Sequence, residues 1–174
     1  WMFVFLFAII GTIRGWAKEL LVTFAVILAL FIMAVLQQFV PFIRDAVLAA
    51  EKGDAQPVFW ARTLLLMALV FFGYQGPNIA RLAGSTKFVR EKLQDSLLGL
   101  FLGALNGYLV IGTLWFFLAE AGYPFSVISP PAPGSNIEKV AIDMLRLMPP
   151  KLLGIPGIYF AVVIAFIFVI VVFI

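Results

Sequence analysis

Residues 95–118 read DSLLGLFLGALNGYLVIGTLWFFL, and the fold turns on this stretch. From Leu97 to Leu118 no residue carries a charge. Crossing the hydrocarbon core of a bilayer takes about 20 apolar residues, with a range of roughly 17–25, so the run is long enough to cross as a helix. Gly99, Gly103 and Gly107 recur every four residues and fall near one helical face. They leave a groove where another backbone can approach closely, which is how helices associate when lipid removes the hydrophobic drive between them. Asn106 stands beside that groove and can hydrogen-bond to a neighbouring helix, an interaction of about 0.6–2 kcal/mol. We read this face as a packing surface; a polar lining for a conduction path is the competing reading. Asp95 opens the run. It reads as an N-cap whose carboxylate accepts free amides at the positive helix end, or as an ion site, since a carboxylate at a membrane segment invites that hypothesis.

The rest of the chain has the same character. Of 174 residues, 64% are hydrophobic and 12% charged. A soluble domain averages about 45–50% apolar and about 25% charged, so lipid must be part of the solvent. The apolar residues come in unbroken runs rather than the alternation a transmembrane barrel needs. Besides 97–118 there are runs at 1–13, 19–36, 58–74 and 158–174. The first is short and begins inside an apolar stretch, and the last ends inside one, so we expect a portion of a longer protein. Within lipid each unsatisfied backbone group costs several kcal/mol, which makes these runs helical despite their many β-branched residues. The expected fold is an all-α integral membrane protein. It has about five transmembrane helices, the first truncated, and one interfacial amphipathic helix.

That amphipathic helix is expected at 136–148, in an outward-facing Pro-rich loop over 121–156. Pro124, Pro130, Pro131 and Pro133 make an extended lead-in. Ser135-Asn136-Ile137-Glu138 then forms a capping box, in which Glu138 reaches back to the cap amide. Ile137, Val140, Ala141, Met144, Leu145 and Met148 follow at helical spacing, and Pro149-Pro150 stop the helix. Such a helix lies along a membrane surface or docks in a partner's groove.

The connections carry the charge. Residues 11–18 form a tight turn with Arg14, Gly15, Lys18 and Glu19 at or beside it; 37–57 is a mixed loop; 76–96 is a basic loop. The first and third connections together hold six Lys/Arg in 29 residues, against five in 59 for the second and fourth. The positive-inside rule places the denser pair in the cytoplasm. Arg62, Glu19 and Glu120 fall at the ends of runs, none deep enough in the pattern to make a relay.

Chemistry is sparse. The 174 residues contain no Cys and no His, so thiolate catalysis and histidine-ligated metal or haem are excluded within them. No carboxylate pair, activated nucleophile or phosphate loop stands out. We expect no catalytic residue, no metal and no cofactor. The net charge of +3 comes from residues flanking membrane segments and does not point to nucleic acid. The expected partners are the lipid bilayer and other transmembrane helices, in a homo-oligomer or a larger complex.

Two stretches carry a family resemblance. Gly11-Thr-Ile-Arg14-Gly15-Trp-Ala-Lys18-Glu19 resembles the G-x-x-R-G-x-x-[KR]-E turn of the colicin V production protein (CvpA) family. Asp95 to Gly107 resembles that family's D-x-x-x-G-x-x-x-G-x-x-x-G helix. The resemblance covers roughly residues 1–120, as a four-helix core, with 157–174 a further truncated span. Asn106 stands where the family often has Arg. The resemblance implies a multi-pass protein of the bacterial cytoplasmic membrane that supports colicin export or envelope function, with no catalysis of its own. The alternative is an accessory structural subunit at the edge of a larger membrane complex, such as an electron-transfer one. A channel or transporter is disfavoured, because midplane polar residues are not evident in the sequence.

Overall fold

A computed structural model describes residues 1–50, 53–75 and 89–173. All regular structure among them is helical, in eight helices. These are α1 (Met2–Arg14), α2 (Trp16–Phe39), α3 (Pro41–Ala50), α4 (Gln56–Tyr74), α5 (Val89–Glu120), α6 (Asn136–Arg146), α7 (Pro149–Leu152) and α8 (Gly157–Phe173). Three of them, α2, α4 and the 92–120 part of α5, are long and apolar enough to cross a membrane. The two shorter apolar helices are α1, with 13 residues, and α8, with 17.

α2 is the central post. Its Val22, Val26, Ala29, Leu30 and Met33 recur at helical spacing and are buried. They pack with Leu66 and Val70 of α4, Leu109, Val110 and Phe117 of α5, and Ile158 of α8. The directions follow from the contacts. α4 runs against α2, so that an added methyl on Gly73 would meet Val22 and Ala25. α5 runs with α2, and α8 runs against it, with Tyr159 on Phe31 and Phe168 on Phe24. α1 packs almost wholly on α5, antiparallel: Gly11 faces Gly99 and Gly103, and Phe7 faces Gly107. The bundle therefore has a Gly15 end and a Glu120 end. Large apolar side chains such as Phe5, Phe72, Phe101, Ile164 and Val171 stay exposed on its outside. In lipid that is the favourable place for them, because the surrounding hydrocarbon is as apolar as they are.

Several expectations are corrected. The run 1–13 continues to Arg14 as helix, and only Gly15 separates α1 from α2, so the tight turn expected over 11–18 narrows to Gly15. The segment 37–57 is not simply a loop; it contains α3, whose Pro41 occupies a first-turn position where a missing N–H costs nothing. Among the described residues, the first 120 hold α3 in addition to the four apolar helices α1, α2, α4 and α5. Pro149 starts α7 rather than merely ending a helix. The basic connection expected over 76–96 lies outside the described residues from 76 to 88.

The amphipathic helix is α6, ending at Arg146 rather than 148. Ser135 Oγ accepts from the Glu138 amide at 3.1 Å, as the capping box requires. The return bond differs by one residue. Glu138 accepts from the Gly134 amide at 2.6 Å, because the Ser135 amide is already taken by Ala132 O. Ile137, Val140 and Ile142 remain exposed on this helix, while Met144 and Leu145 are half-covered and Met148 beyond it is buried.

Candidate functional site

The two motif stretches meet. Along one side of α5, Gly99 and Gly103 receive the backbone of α1. A Cβ on Gly11 would sit 2.8 Å from the Gly103 Cα and against the Gly99 carbonyl, and a Cβ on Gly103 would strike the Phe7 carbonyl. At Gly107 a Cβ would come within 2.9 Å of both Val4 Cα and Phe7 Cβ. Only glycine lets two helices come this close. The face read as open for another helix is therefore filled from within the chain, by α1.

Gly15 closes the seam. It has φ +84° and ψ 161°, a conformation essentially limited to glycine. A Cβ there would also lie 2.6 Å from Asp95 Oδ2. With no side chain between them, Asp95 Oδ1 accepts from the Trp16 amide at 3.0 Å. Asp95 is thus not the cap of its own helix, which begins at Val89. It caps α2 across the bundle, placing its negative charge at that helix's positive end. Lys18 stands half-buried in the first turn of α2.

On the other side of Gly15 lies a buried polar cluster. Glu19 was expected near an interface; it is instead 0% exposed. Helix α2 starts at once after Gly15, so Glu19 falls in its first turns and points into the bundle. Arg14 Nε donates to Glu19 Oε1 at 2.8 Å. Arg14 Nη1 donates to the Tyr74 carbonyl at 3.3 Å, and its guanidinium lies 4.3 Å over the Tyr74 ring. The cation therefore serves both a carboxylate and the negative end of α4. Asn106, also fully buried, donates Nδ2 to Glu19 O and Glu19 Oε2, each at 2.8 Å. Its Oδ1 accepts from Thr23 Oγ1 at 2.7 Å. Asn106 thus uses both donor and acceptor functions, and the network ties α1, α2, α4 and α5 together. Buried polar networks fix one arrangement strongly when every member is satisfied. The Tyr74 hydroxyl beside it is buried without a partner.

The cluster lies toward the Gly15 end of the bundle, where Arg14 and Glu19 stand at the meeting of α1 and α2. Asn106 lies well inside α5, and Glu19 joins it there. The signal was available only in part: Glu19 and Asn106 were each visible, but 87 residues separate them. Among the described residues no group of three or more His, Cys, Asp or Glu has metal-binding geometry. No family model, no curated protein and no solved structure matches the chain.

A second charged constellation lies at the Glu120 end. Arg62 forms an ion pair with Glu120, and Gln37 satisfies the guanidinium with its amide oxygen turned toward it, 2.9 Å from Nη2. Arg62 is only 13% exposed, so it sits in the packed wall rather than reaching freely into water.

Proposed function

We propose that this chain is a CvpA-like multi-pass protein of a bacterial cytoplasmic membrane, with five spans, that supports export or envelope function as a helix-packing scaffold without catalysis of its own. One observation carries the reading. The residues on which the family resemblance rests, Gly11, Arg14, Gly15 and Glu19 in one stretch and Asp95, Gly99, Gly103 and Gly107 in the other, converge on a single joint. Two motifs about 80 positions apart that close on each other behave as one unit. Such a joint sets the angle and register of α1 against α5, and hence the outer surface presented to lipid and to other proteins. Because α1 fills the glycine groove, contacts with other chains belong to the outward faces of α1 and α8 and to α6.

Purification in mild detergent followed by native mass measurement tests this reading. A monomer or homo-oligomer with no other protein bound is the expected result. A stoichiometric complex with cofactor-bearing subunits would sink the stand-alone scaffold and make the chain an accessory subunit.

A further inference from the structure

A cavity of about 680 Å³ opens at the Glu120 end, between the last turns of α2, α3, the start of α4, the end of α5 and residues 150–155. Its size falls within the ~300–1,000 Å³ of small-molecule sites. Two features define what it would accept. The first is charge: Arg44, Arg62 and Lys151 line it against the single carboxylate of Glu120, which is already bound to Arg62. Arg44 and Lys151 are exposed; Asp45, at 3.7 Å from Arg44, is itself exposed. The cavity is therefore net cationic. The second is depth. Leu30, Met33, Phe116 and Phe117 form an apolar lining.

The chain after α6 lies well inside the bundle's ends. Met148 and Pro149 pack at Gly112, eight residues before the end of α5, and α8 starts beside Phe31, eight residues before the end of α2. At 1.5 Å per helical residue both offsets are about 12 Å. The floor of the cavity, formed by residues 150–155, thus lies about 12 Å in from the ends of α2 and α5.

We propose that this cavity binds an amphiphile whose phosphate headgroup carries a net negative charge, the phosphate held by Arg44, Arg62 and Lys151 and the chain laid on Leu30, Met33 and Phe117. Arg62 supplies a fixed positive wall, since Glu120 and Gln37 hold it in place. Arg44 and Lys151 supply exposed cations on the cavity's lining for the phosphate. The inference depends on the bundle being embedded in a membrane and not on any role in export.

The test uses the full chain in nanodiscs of equal phosphatidylglycerol and phosphatidylcholine, released into detergent, with bound lipid counted by native mass spectrometry. Phosphatidylglycerol should be retained in preference. The double variant Arg44→Gln with Lys151→Gln should weaken that retention by roughly thirtyfold. The charge-matched control Lys139→Gln with Arg146→Gln, on α6 and outside the cavity, should leave it unchanged. Ala34→Phe, which fills the lining, should also lower retention with the fold intact by circular dichroism. Equal retention of the two lipids, or equal loss in both double variants, would overturn the proposal, since it would mark diffuse attraction to basic residues. Inorganic phosphate displacing the lipid while Ala34→Phe leaves retention unaltered would also overturn it, in favour of a free-phosphate site. None of these readings moves with the scaffold proposal, which the native mass of protein partners decides.

Discussion

Glu19 is the residue on which the packing of four helices depends. Its carboxylate is fully buried, and Arg14 and Asn106 both spend donors on it. Removing one partner of a buried pair leaves the other uncompensated, at a cost of about 3–5 kcal/mol. Glu19→Ala should therefore lower the free energy of unfolding by about 3 kcal/mol or more, read from denaturant or thermal midpoints of the purified protein. Glu19→Gln keeps an acceptor for Asn106 and should lose clearly less. Equal losses would show that the hydrogen bond Gln keeps with Asn106 contributes nothing and that the charge facing Arg14 carries the whole effect. Gly15 makes a companion case. Gly15→Ala meets a forbidden backbone region and also the Asp95 carboxylate. If both effects act, Asp95→Ala should relieve the steric part, so the loss caused by Gly15→Ala should be smaller in that background. Strict additivity would rule out the contact. At this scale the sequence was legible in kind and not in arrangement. Asp95, Arg14, Gly15, Glu19 and Asn106 stand out as polar or special residues in apolar surroundings, but pairing between residues 79 or 87 positions apart is set by which helices pack, not by local pattern.

Helices were legible where one side of the chain repeats. The four-residue spacing of Gly99, Gly103 and Gly107 needs only helical geometry to define a face, and the structure places close backbone contact there. That the contact comes from α1 was not legible, because α1 reads as a short apolar run like any other. The consequence changes how the seam is tested. Gly103→Leu should disrupt the fold of the single chain, through the Phe7 carbonyl, instead of parting one copy from another. Gly103→Ala should cost about 1–3 kcal/mol, as overpacking does. Leu105→Ala, on an exposed side of the same helix, should stay within about 0.5 kcal/mol. A neutral Gly103→Ala in the same unfolding assay would mean that α1 does not sit in the groove. α3 shows the opposite limit. Pro41, Arg44 and Asp45 give it a loop-like composition, yet Pro at a first-turn position and an amphipathic remainder suffice for ten residues of helix. α6 lies between these cases. Its cap was readable because Ser135 and Glu138 act within one turn, while the end of the helix was two residues short of the apolar stripe. Ser135→Ala should destabilise α6 by about 1 kcal/mol, seen as faster hydrogen exchange at the amides of 137–140 with the α2 core unchanged.

At the scale of the molecule the contacts and the charges give a consistent topology. Arg14, Gly15, Tyr74 and Asp95 gather at one end; Arg62, Glu120 and the aromatic contacts of Phe59, Trp60 and Phe125 gather at the other. Successive apolar helices α1, α2, α4, α5 and α8 therefore alternate in direction, which is what repeated crossing of one bilayer demands. Arg14, Lys18 and Lys92 stand toward the Gly15 end, and the expectation from the positive-inside rule that the basic connections face the cytoplasm becomes a testable statement about that end. The absence of cysteine from these 174 residues makes the orientation measurable, because a single introduced thiol is then the only one among them to react. Gly53→Cys and Val127→Cys, both at exposed positions of the Glu120 end, should react with a membrane-impermeant maleimide in intact cells. Gln75→Cys, exposed at the Gly15 end, should react only after the membrane is opened. The reverse pattern would invert the molecule and leave the fold standing. Reaction of all three in intact cells would break the alternation itself, and with it the five-span reading. The same labels bear on the cavity: with the Glu120 end outward, Arg44, Arg62 and Lys151 face the outer leaflet, so the phosphate-headed amphiphile they would bind must come from that side of the membrane.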